Sequence, residues 1–209
     1  MTRERKRSLW IAGGLLAAFG LWTLAVTVID VQPIGPENSA VGFAAVNGWV
    51  HSLTGVNWVL YTVTDWLSLV PLGMVMSFGI LGLCQWIRRG SIRRVDRSLL
   101  ALGGFYVAVM AMFVFFEFAV VNCRPVLIDG VLEASYPSST TMLVLCVMPT
   151  GMMQLRERKI GGRWVRILLA AFTAFVVIAR LVSGVHWFTD IIGGGLLSAG
   201  LVALYDAIR

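Results

Sequence analysis

Six long apolar stretches, separated by short polar segments, leave this chain few possible folds. They lie at about 8–29, 66–87, 99–121, 138–155, 164–180 and 190–208, and a helix needs about 20 apolar residues to cross a bilayer. Apolar residues make up 58% of the 209 residues and charged residues 13%, which excludes an ordinary soluble domain. The sequence therefore predicts an all-α integral membrane protein, a six-helix bundle forming a single transmembrane domain over residues 1–209.

The basic residues orient these stretches. Fifteen of the 17 Lys and Arg residues lie before the first stretch, in the blocks 88–97 and 156–166, or at the C-terminus. Basic residues favour the cytoplasmic side, so we expect a multi-pass plasma-membrane protein with both termini in the cytoplasm. The first stretch has 22 uncharged residues, Ser8 to Ile29, and is too long for the apolar region of a signal peptide. The net charge of +6 follows from this arrangement and does not indicate a nucleic-acid partner.

The first outer loop, residues 31–60, contains no Lys or Arg. Its apolar part, Val41 to Leu53, predicts a short helix lying along the membrane interface. The three cysteines, Cys84, Cys123 and Cys146, fall in different segments without paired spacing. They indicate neither a disulfide framework nor a zinc site, and we expect no metal or cofactor.

Two arginines break the charge pattern. Arg124 and Arg180 lie at the outer ends of apolar stretches, where orientation by the positive-inside rule cannot explain them. An anionic partner on the outer side is the simplest explanation. For Arg124 alone, the alternative is an interfacial arginine whose guanidinium reaches the head-group region.

The segment from Arg180 to Gly194 also contains His186 and Asp190. Ionisable residues are costly at membrane depth and are functional candidates by default. His186 and Asp190 are four residues apart, which places them on one face of a helical turn. A carboxylate so placed can hold one imidazole nitrogen and leave the other free as a base, nucleophile or ligand. The alternative is a loop histidine followed by a helix-capping aspartate.

Glu117 and Arg124 are seven residues apart, which is about two turns of helix and about 10 Å along its axis. We expect them to share a face of the third helix before Pro125 ends it. Glu117 lies within an apolar helix and needs a cationic partner. That partner is Arg124, Arg180 or a cationic part of a ligand.

The fourth helix is preceded by a proline and begins with Ser138, Ser139 and Thr140. Such residues are typical helix N-caps, and capping is their ordinary role. A helix start also offers free N–H groups, a positive dipole end and hydroxyl donors, which suit a phosphate. All these polar groups lie at outer helix ends, so the topology can bring them together. Two arginines, hydroxyl donors and an oriented histidine are sufficient for phosphoryl transfer without a metal.

Three motifs, in this order and spacing, resemble those of the type 2 phosphatidic acid phosphatase family of integral-membrane lipid phosphatases. They are Arg124-Pro125, Pro137-Ser138 and Arg180-x5-His186-x3-Asp190. The resemblance implies that His186 is the nucleophile that forms a phosphohistidine and that Asp190 orients it. It also implies that Arg124, Arg180 and Ser138 bind the phosphate, assisted by backbone amides near Ser139.

The chain departs from the family pattern at several positions. Glu117 stands where the family has lysine, Ser139 and Thr140 where it has glycine and histidine, and Ala179 where it has serine. The missing histidine is held to protonate the leaving alcohol, and a threonine hydroxyl is too weak an acid for that. His51 in the first outer loop is one substitute; otherwise it is an interfacial histidine.

The sequence thus predicts a metal-independent lipid phosphate or diphosphate phosphatase acting at the extracytoplasmic face, with membrane lipids as its surroundings. Polyprenyl diphosphates such as undecaprenyl diphosphate are favoured, because a departing phosphate needs little acid assistance. Two alternatives stay open. In the first, Glu117 is a base or contacts a cationic head group, and the protein is a lipid phosphotransferase. In the second, the protein binds lipid phosphates without catalysis.

Overall fold

The computed structural model describes residues 3–209. Within that range the chain forms α-helices, two short 3₁₀ turns (Pro36–Asn38 and Ile92–Arg94) and isolated β-bridges, but no strand. The α-helices are α1 (Arg3–Val28), α2 (Ala44–Thr54), α3 (Trp58–Leu67), α4 (Leu69–Arg89), α5 (Arg97–Phe118), α6 (Ser139–Glu157), α7 (Arg163–Val182) and α8 (Phe188–Ile208).

Five helical segments are long and apolar enough to cross a membrane: α1, the α3–α4 pair, α5, α7 and α8. This confirms an all-helical, multi-pass membrane protein. The fourth predicted span forms α6, but α6 is not among the five, because it carries polar residues at both ends and around Pro149. It is enclosed by α4, α5, α7 and α8 instead of facing outward. A six-span bundle therefore stays a prediction.

The second span begins earlier than the sequence suggested. We expected a helix at about 66–87, with residues up to 60 in a loop, whereas α3 starts at Trp58 and is joined to α4 at Ser68. Asn57 caps α3 by accepting a hydrogen bond from Leu60 N at 3.0 Å. The extra helix carries Thr64 inward, where it is fully buried.

The predicted helix at Val41 to Leu53 is present as α2, Ala44–Thr54. Its Asn47 is buried and donates to the hydroxyl of Thr189 at the start of α8, at 2.9 Å. This hydrogen bond fixes α2 to the N-terminal end of α8. The position of α2 relative to the membrane surface stays a prediction.

α8 packs closely against its neighbours because it contains small residues. A Cβ on Gly200 would lie 2.8 Å from the side chain of Leu16 in α1, and one on Gly193 would lie 2.5 Å from the ring of Tyr136. Small residues allow membrane helices to approach in this way. α8 is therefore held between α1 and the loop before α6, and His186 lies just ahead of its N-terminal end.

Candidate active site

His186 lies in the turn between α7 and α8 and is only 3% exposed. The turn depends on Gly184, whose φ is +68° and where a Cβ would lie 1.8 Å from the backbone oxygen of Gly55. Only glycine fits such a position. Gly184 thus allows the chain to turn between Arg180 and His186.

The hydrogen bonds of the His186 ring determine its tautomer. Nε2 lies 3.1 Å from Arg124 Nη1, and Nδ1 lies 3.1 Å from the carbonyl oxygen of Ser135. A guanidinium can only donate, so Nε2 accepts and Nδ1 carries the proton that it donates to Ser135. The lone pair of Nε2 therefore points toward Arg124.

Asp190 is fully buried beside this ring, with Oδ2 3.7 Å from His186 Nδ1. That distance exceeds a hydrogen bond, and the Ser135 carbonyl is the nearer acceptor. Oδ2 accepts from Trp187 N at 2.9 Å and Oδ1 from Asn122 Nδ2 at 3.1 Å. Asp190 thus caps α8 and places its charge next to the imidazole. The predicted hydrogen bond from the imidazole to this carboxylate is not formed, because Ser135 O accepts from Nδ1.

Arg124 is 8% exposed and is held from two sides. Its Nε donates to Glu133 Oε2 at 2.9 Å, and Nη1 donates to the carbonyl oxygen of Val185 at 3.3 Å as well as to His186. Within residues 3–209, Nη2 has no hydrogen-bond partner. A donor beside the imidazole is thus available to a ligand.

Arg180 is 2% exposed and is anchored by α3. Its Nη1 donates to the hydroxyl of Thr64 at 3.1 Å and lies 3.9 Å from Asp65, and its Cζ lies 4.8 Å from the ring centroid of Tyr61. Among the described residues, its buried Nε has no partner. Buried unpaired donors are rare in proteins, so this one is a further candidate contact for an anion.

The three residues at the start of α6 do not behave alike. Ser138 is fully buried, its N donates to Asp190 O at 3.1 Å, and its Oγ has no partner within residues 3–209. Ser139 lines the cavity that contains His186. Thr140 does not line that cavity and faces an apolar groove on the other side of Ser139.

A polar cavity of about 180 Å³ contains some of these groups. Ser138, Arg180 and Asp190 are not among the described residues that line it. Its polar lining includes Glu117, Arg124, Glu133, Ser139 and His186. The volume equals that of about six water molecules in the liquid, which suits a head group and not a lipid tail.

The environment keeps His186 neutral. Burial is the main cause that lowers its pKa to about 4, and the charges of Arg124 and Arg180 lower it further, while Asp190 opposes them. At neutral pH the imidazole is therefore uncharged, and its Nε2 lone pair accepts from Arg124 instead of binding a proton. It can act as a nucleophile once that hydrogen bond is released. Arg124 lines the same cavity as His186, whereas Arg180 acts on the ring through its charge without lining that cavity. That the predicted residues form one anion site stays a prediction.

The predicted relation between Glu117 and Arg124 is wrong. α5 ends at Phe118, so the two residues do not share a helical face. Arg124 pairs with Glu133 instead, and Glu117 makes no ion pair within residues 3–209. Glu117 and Arg124 nevertheless line the same cavity.

Sequence reasoning missed the partners that hold the site: Glu133, Ser135, Asn122 and Thr64. No spacing pattern identifies them: Asn122, Glu133 and Ser135 lie in the loop between α5 and α6, and Thr64 lies within α3. His51, considered as a substitute acid, does not line the cavity. Its ring packs against Trp187 with centroids 5.5 Å apart, and partial burial lowers its pKa.

Comparison with known proteins identifies the family of this chain. The sequence model of the PAP2 superfamily matches residues 98–208. The fold resembles the crystal structure of a transmembrane PAP2-type phosphatidylglycerolphosphate phosphatase from Bacillus subtilis, with a TM-score of 0.50 and 19% identity over 94% of each chain. No curated protein sequence matches. The matched region is more than half of the chain and contains all three motifs, so this protein belongs to the PAP2 superfamily.

Proposed function

We propose that the protein hydrolyses lipid phosphates or diphosphates at the outer face of the plasma membrane, through a phosphohistidine on His186. Membership of the PAP2 superfamily supports a membrane lipid phosphatase. The observation that carries the mechanism is the buried, neutral imidazole whose Nε2 faces Arg124 in the polar cavity.

The reaction begins when a substrate phosphate takes over the hydrogen bond from Arg124 Nη1. This exchange frees the lone pair of Nε2, which attacks phosphorus in line; the bond from Nε2 to phosphorus forms as the bond to the leaving oxygen breaks. Asp190 stabilises the positive charge of the phosphorylated ring. Arg124 and Arg180 hold the phosphoryl oxygens, together with the hydroxyl of Ser138.

In the second step, water attacks the phosphohistidine. The bond between phosphorus and Nε2 breaks, inorganic phosphate leaves and the neutral imidazole returns. Arginine donors and helix N–H groups stabilise the charge, so the proposed chemistry needs no metal.

The leaving group narrows the substrate. Thr140 faces the apolar groove and is too weakly acidic to protonate an alkoxide. When a lipid diphosphate is attacked at its terminal phosphorus, the leaving group is the lipid monophosphate, which is a stable anion and needs no added proton. Polyprenyl diphosphates therefore suit the site better than lipid monophosphates.

An apolar groove next to the cavity supports a lipid substrate. It has a volume of about 320 Å³, runs between α4, α5 and α6, and shares Phe113, Ser139 and Met142 with the polar cavity. A head group in the cavity thus has an adjoining path for its tail into the bilayer. Such a combination of apolar walls and a few polar groups is typical of ligand sites.

The membrane topology belongs to the same proposal. The basic residues cluster at one end of the helices, and His186 lies at the other end, beyond the C-terminal end of α7, whose first residue is Arg163. By the positive-inside rule the basic end is cytoplasmic. Six crossings, including α6, with α2 lying at the outer interface, then leave both termini inside.

Phosphate release from purified protein tests the proposal. In detergent micelles containing a chelator, we expect faster release from undecaprenyl diphosphate than from phosphatidic acid or phosphatidylglycerolphosphate. His186→Ala abolishes release and His51→Ala does not. Turnover that survives His186→Ala contradicts the phosphohistidine mechanism, and equal rates on all lipids contradict the diphosphate preference. Substrate sealed inside or outside oriented vesicles tests the side of the site.

One observation favours a second function, lipid phosphotransfer. Glu117 and Glu133 both line the cavity, so two carboxylates face one guanidinium there. A cationic head group could lie against them while its phosphate is transferred to an acceptor lipid. Product analysis with and without an acceptor lipid separates transfer from hydrolysis.

The same experiments test binding without catalysis. If wild type turns over no lipid and His186→Ala still binds orthovanadate, the protein binds lipid phosphates without hydrolysing them.

A further inference from the structure

We propose that Asn122 is a positioning residue for His186, holding both groups that flank the imidazole Nδ1. The inference rests on the proposed phosphohistidine chemistry at His186. Asn122 lies in the loop between α5 and α6, two residues before Arg124, and is 1% exposed.

The first connection runs through the backbone. The carbonyl oxygen of Asn122 accepts from Ser135 N at 2.9 Å and from Ser135 Oγ at 3.2 Å. The carbonyl of Ser135 in turn accepts the proton of His186 Nδ1 at 3.1 Å. The acceptor that selects the tautomer is therefore fixed on Asn122.

The second connection runs through the side chain. Asn122 Nδ2 donates to Asp190 Oδ1 at 3.1 Å and to Thr189 Oγ1 at 3.3 Å, and Oδ1 accepts from Gly42 N at 3.3 Å. An amide supplies two donors and an acceptor in one plane, which a carboxylate of the same shape cannot do. Asn122 thus also holds the carboxylate that stabilises the charged ring.

The network continues into the first outer loop. A Cβ on Gly42 would lie 1.7 Å from the backbone oxygen of Val26, so the N–H that fixes Asn122 comes from a close chain crossing with α1. Asn47 of α2 closes the network from the other side through Thr189, which it contacts with both amide atoms. The hydrogen-bond network that holds the imidazole is therefore fixed to α1, α2 and α8.

Such bracing matters because in-line attack requires the nucleophile to be held within tenths of an ångström. A buried asparagine that merely stabilises the loop would change the amount of folded protein. A positioning residue changes the titration and the turnover of His186 in protein that is folded. The charged groups facing the ring are Arg124, Arg180 and Asp190, and none of them is altered by a substitution at Asn122.

The test uses Asn122→Asp, which keeps the shape but replaces the donors to Asp190 by a second carboxyl group. The chain has two histidines, so ¹³C-labelling of histidine in the full-length protein gives two ring signals, which His51→Gln assigns. We expect the titration midpoint of His186 to rise by about one pH unit, because negative charge is added near the ring. The matched control is Asn38→Asp, at an exposed position whose left-handed backbone aspartate tolerates.

Turnover is the second readout. At neutral pH we expect kcat of Asn122→Asp to fall by about tenfold to a hundredfold, the usual range for the partner of a functional histidine. KM changes little, because Arg124 and Arg180 are intact. Asn122→Ala shows the same fall in kcat with orthovanadate inhibition retained, and serves if the aspartate variant does not fold.

The outcomes are distinct. An unmoved His186 midpoint, or kcat and orthovanadate inhibition that fall together, overturns the inference about Asn122. Absence of turnover by wild type, or turnover that survives His186→Ala, overturns the proposed function, and the titration still decides the role of Asn122.

Discussion

Lowering the pH should leave the reaction at His186 unaffected until about pH 4. Burial, assisted by Arg124 and Arg180, lowers the pKa of this imidazole from 6.5 to about 4. This lowering of the pKa corresponds to a free energy of about 3 kcal/mol in favour of the neutral ring in the folded protein. An ordinary histidine nucleophile would lose its lone pair to a proton over the range in which this one stays active.

The pH dependence of kcat/KM measures this value in the free enzyme. Substrate phosphate groups also titrate, so the profile should be recorded with a lipid diphosphate and a lipid monophosphate. The limb due to His186 is the one common to both substrates, and we expect it near pH 4. A common limb between pH 6 and 7 would show that the imidazole is neither buried nor close to the two guanidinium groups.

The same displacement of the pKa makes a prediction about stability. The unfolded chain binds a proton near pH 6.5 and the folded chain only near pH 4, so stability present above pH 6.5 is lost as the pH falls toward 4. Comparing wild type with His186→Gln in detergent isolates this effect. The difference in their free energies of unfolding should change by about 3 kcal/mol across that range, and a constant difference contradicts the burial argument.

Three further results are expected. Arg180→Lys lowers kcat/KM by about 100-fold, because lysine lacks the Nε donor; a change below about threefold would mean that Arg180 does not touch the phosphate. Gly184→Ala lowers stability by at least about 2 kcal/mol in thermal or denaturant unfolding, since its Cβ meets the backbone of Gly55, whereas Gly73→Ala in open space does not. Leu72→Trp narrows the apolar groove and raises KM for lipids by at least about threefold without changing orthovanadate inhibition; equal effects on both would exclude a tail in the groove.

The sequence allows a feature to be predicted where a single energetic cost determines it. Apolar stretches could be placed because the bilayer fixes their length. Arg124 and Arg180 stood out because the positive-inside rule forbids an orienting role at the outer ends. The structure brings both close enough to His186 to act on its charge.

The sequence does not predict helix ends that depend on contacts with residues distant in the chain. The sequence placed residues 31–60 in a loop and began the second helix at about residue 66, yet α3 runs over Trp58–Leu67. This helix supplies Thr64 and Asp65 to Arg180. α5 ends at Phe118 although its apolar pattern continues to about residue 121. The partners Glu133 and Asn122 are nine and two residues from Arg124 in sequence, but nothing local distinguishes them from other loop residues.

The resting geometry suggests how the proposed site would bind a phosphate without the family lysine. The charge of Arg124 is balanced by Glu133 and His186 is neutral, so the cavity lacks the excess positive charge that would hold a dianion from a distance. Within residues 3–209, Arg180 Nε and Ser138 Oγ are buried and unpaired, and Arg124 Nη2 has no hydrogen-bond partner. A buried unpaired donor costs about 1–3 kcal/mol, which a phosphate recovers by accepting from it. If the phosphate is bound by hydrogen bonds from these donors rather than by net positive charge, binding depends on how many phosphate oxygens are within reach. A diphosphate offers more of these oxygens than a monophosphate.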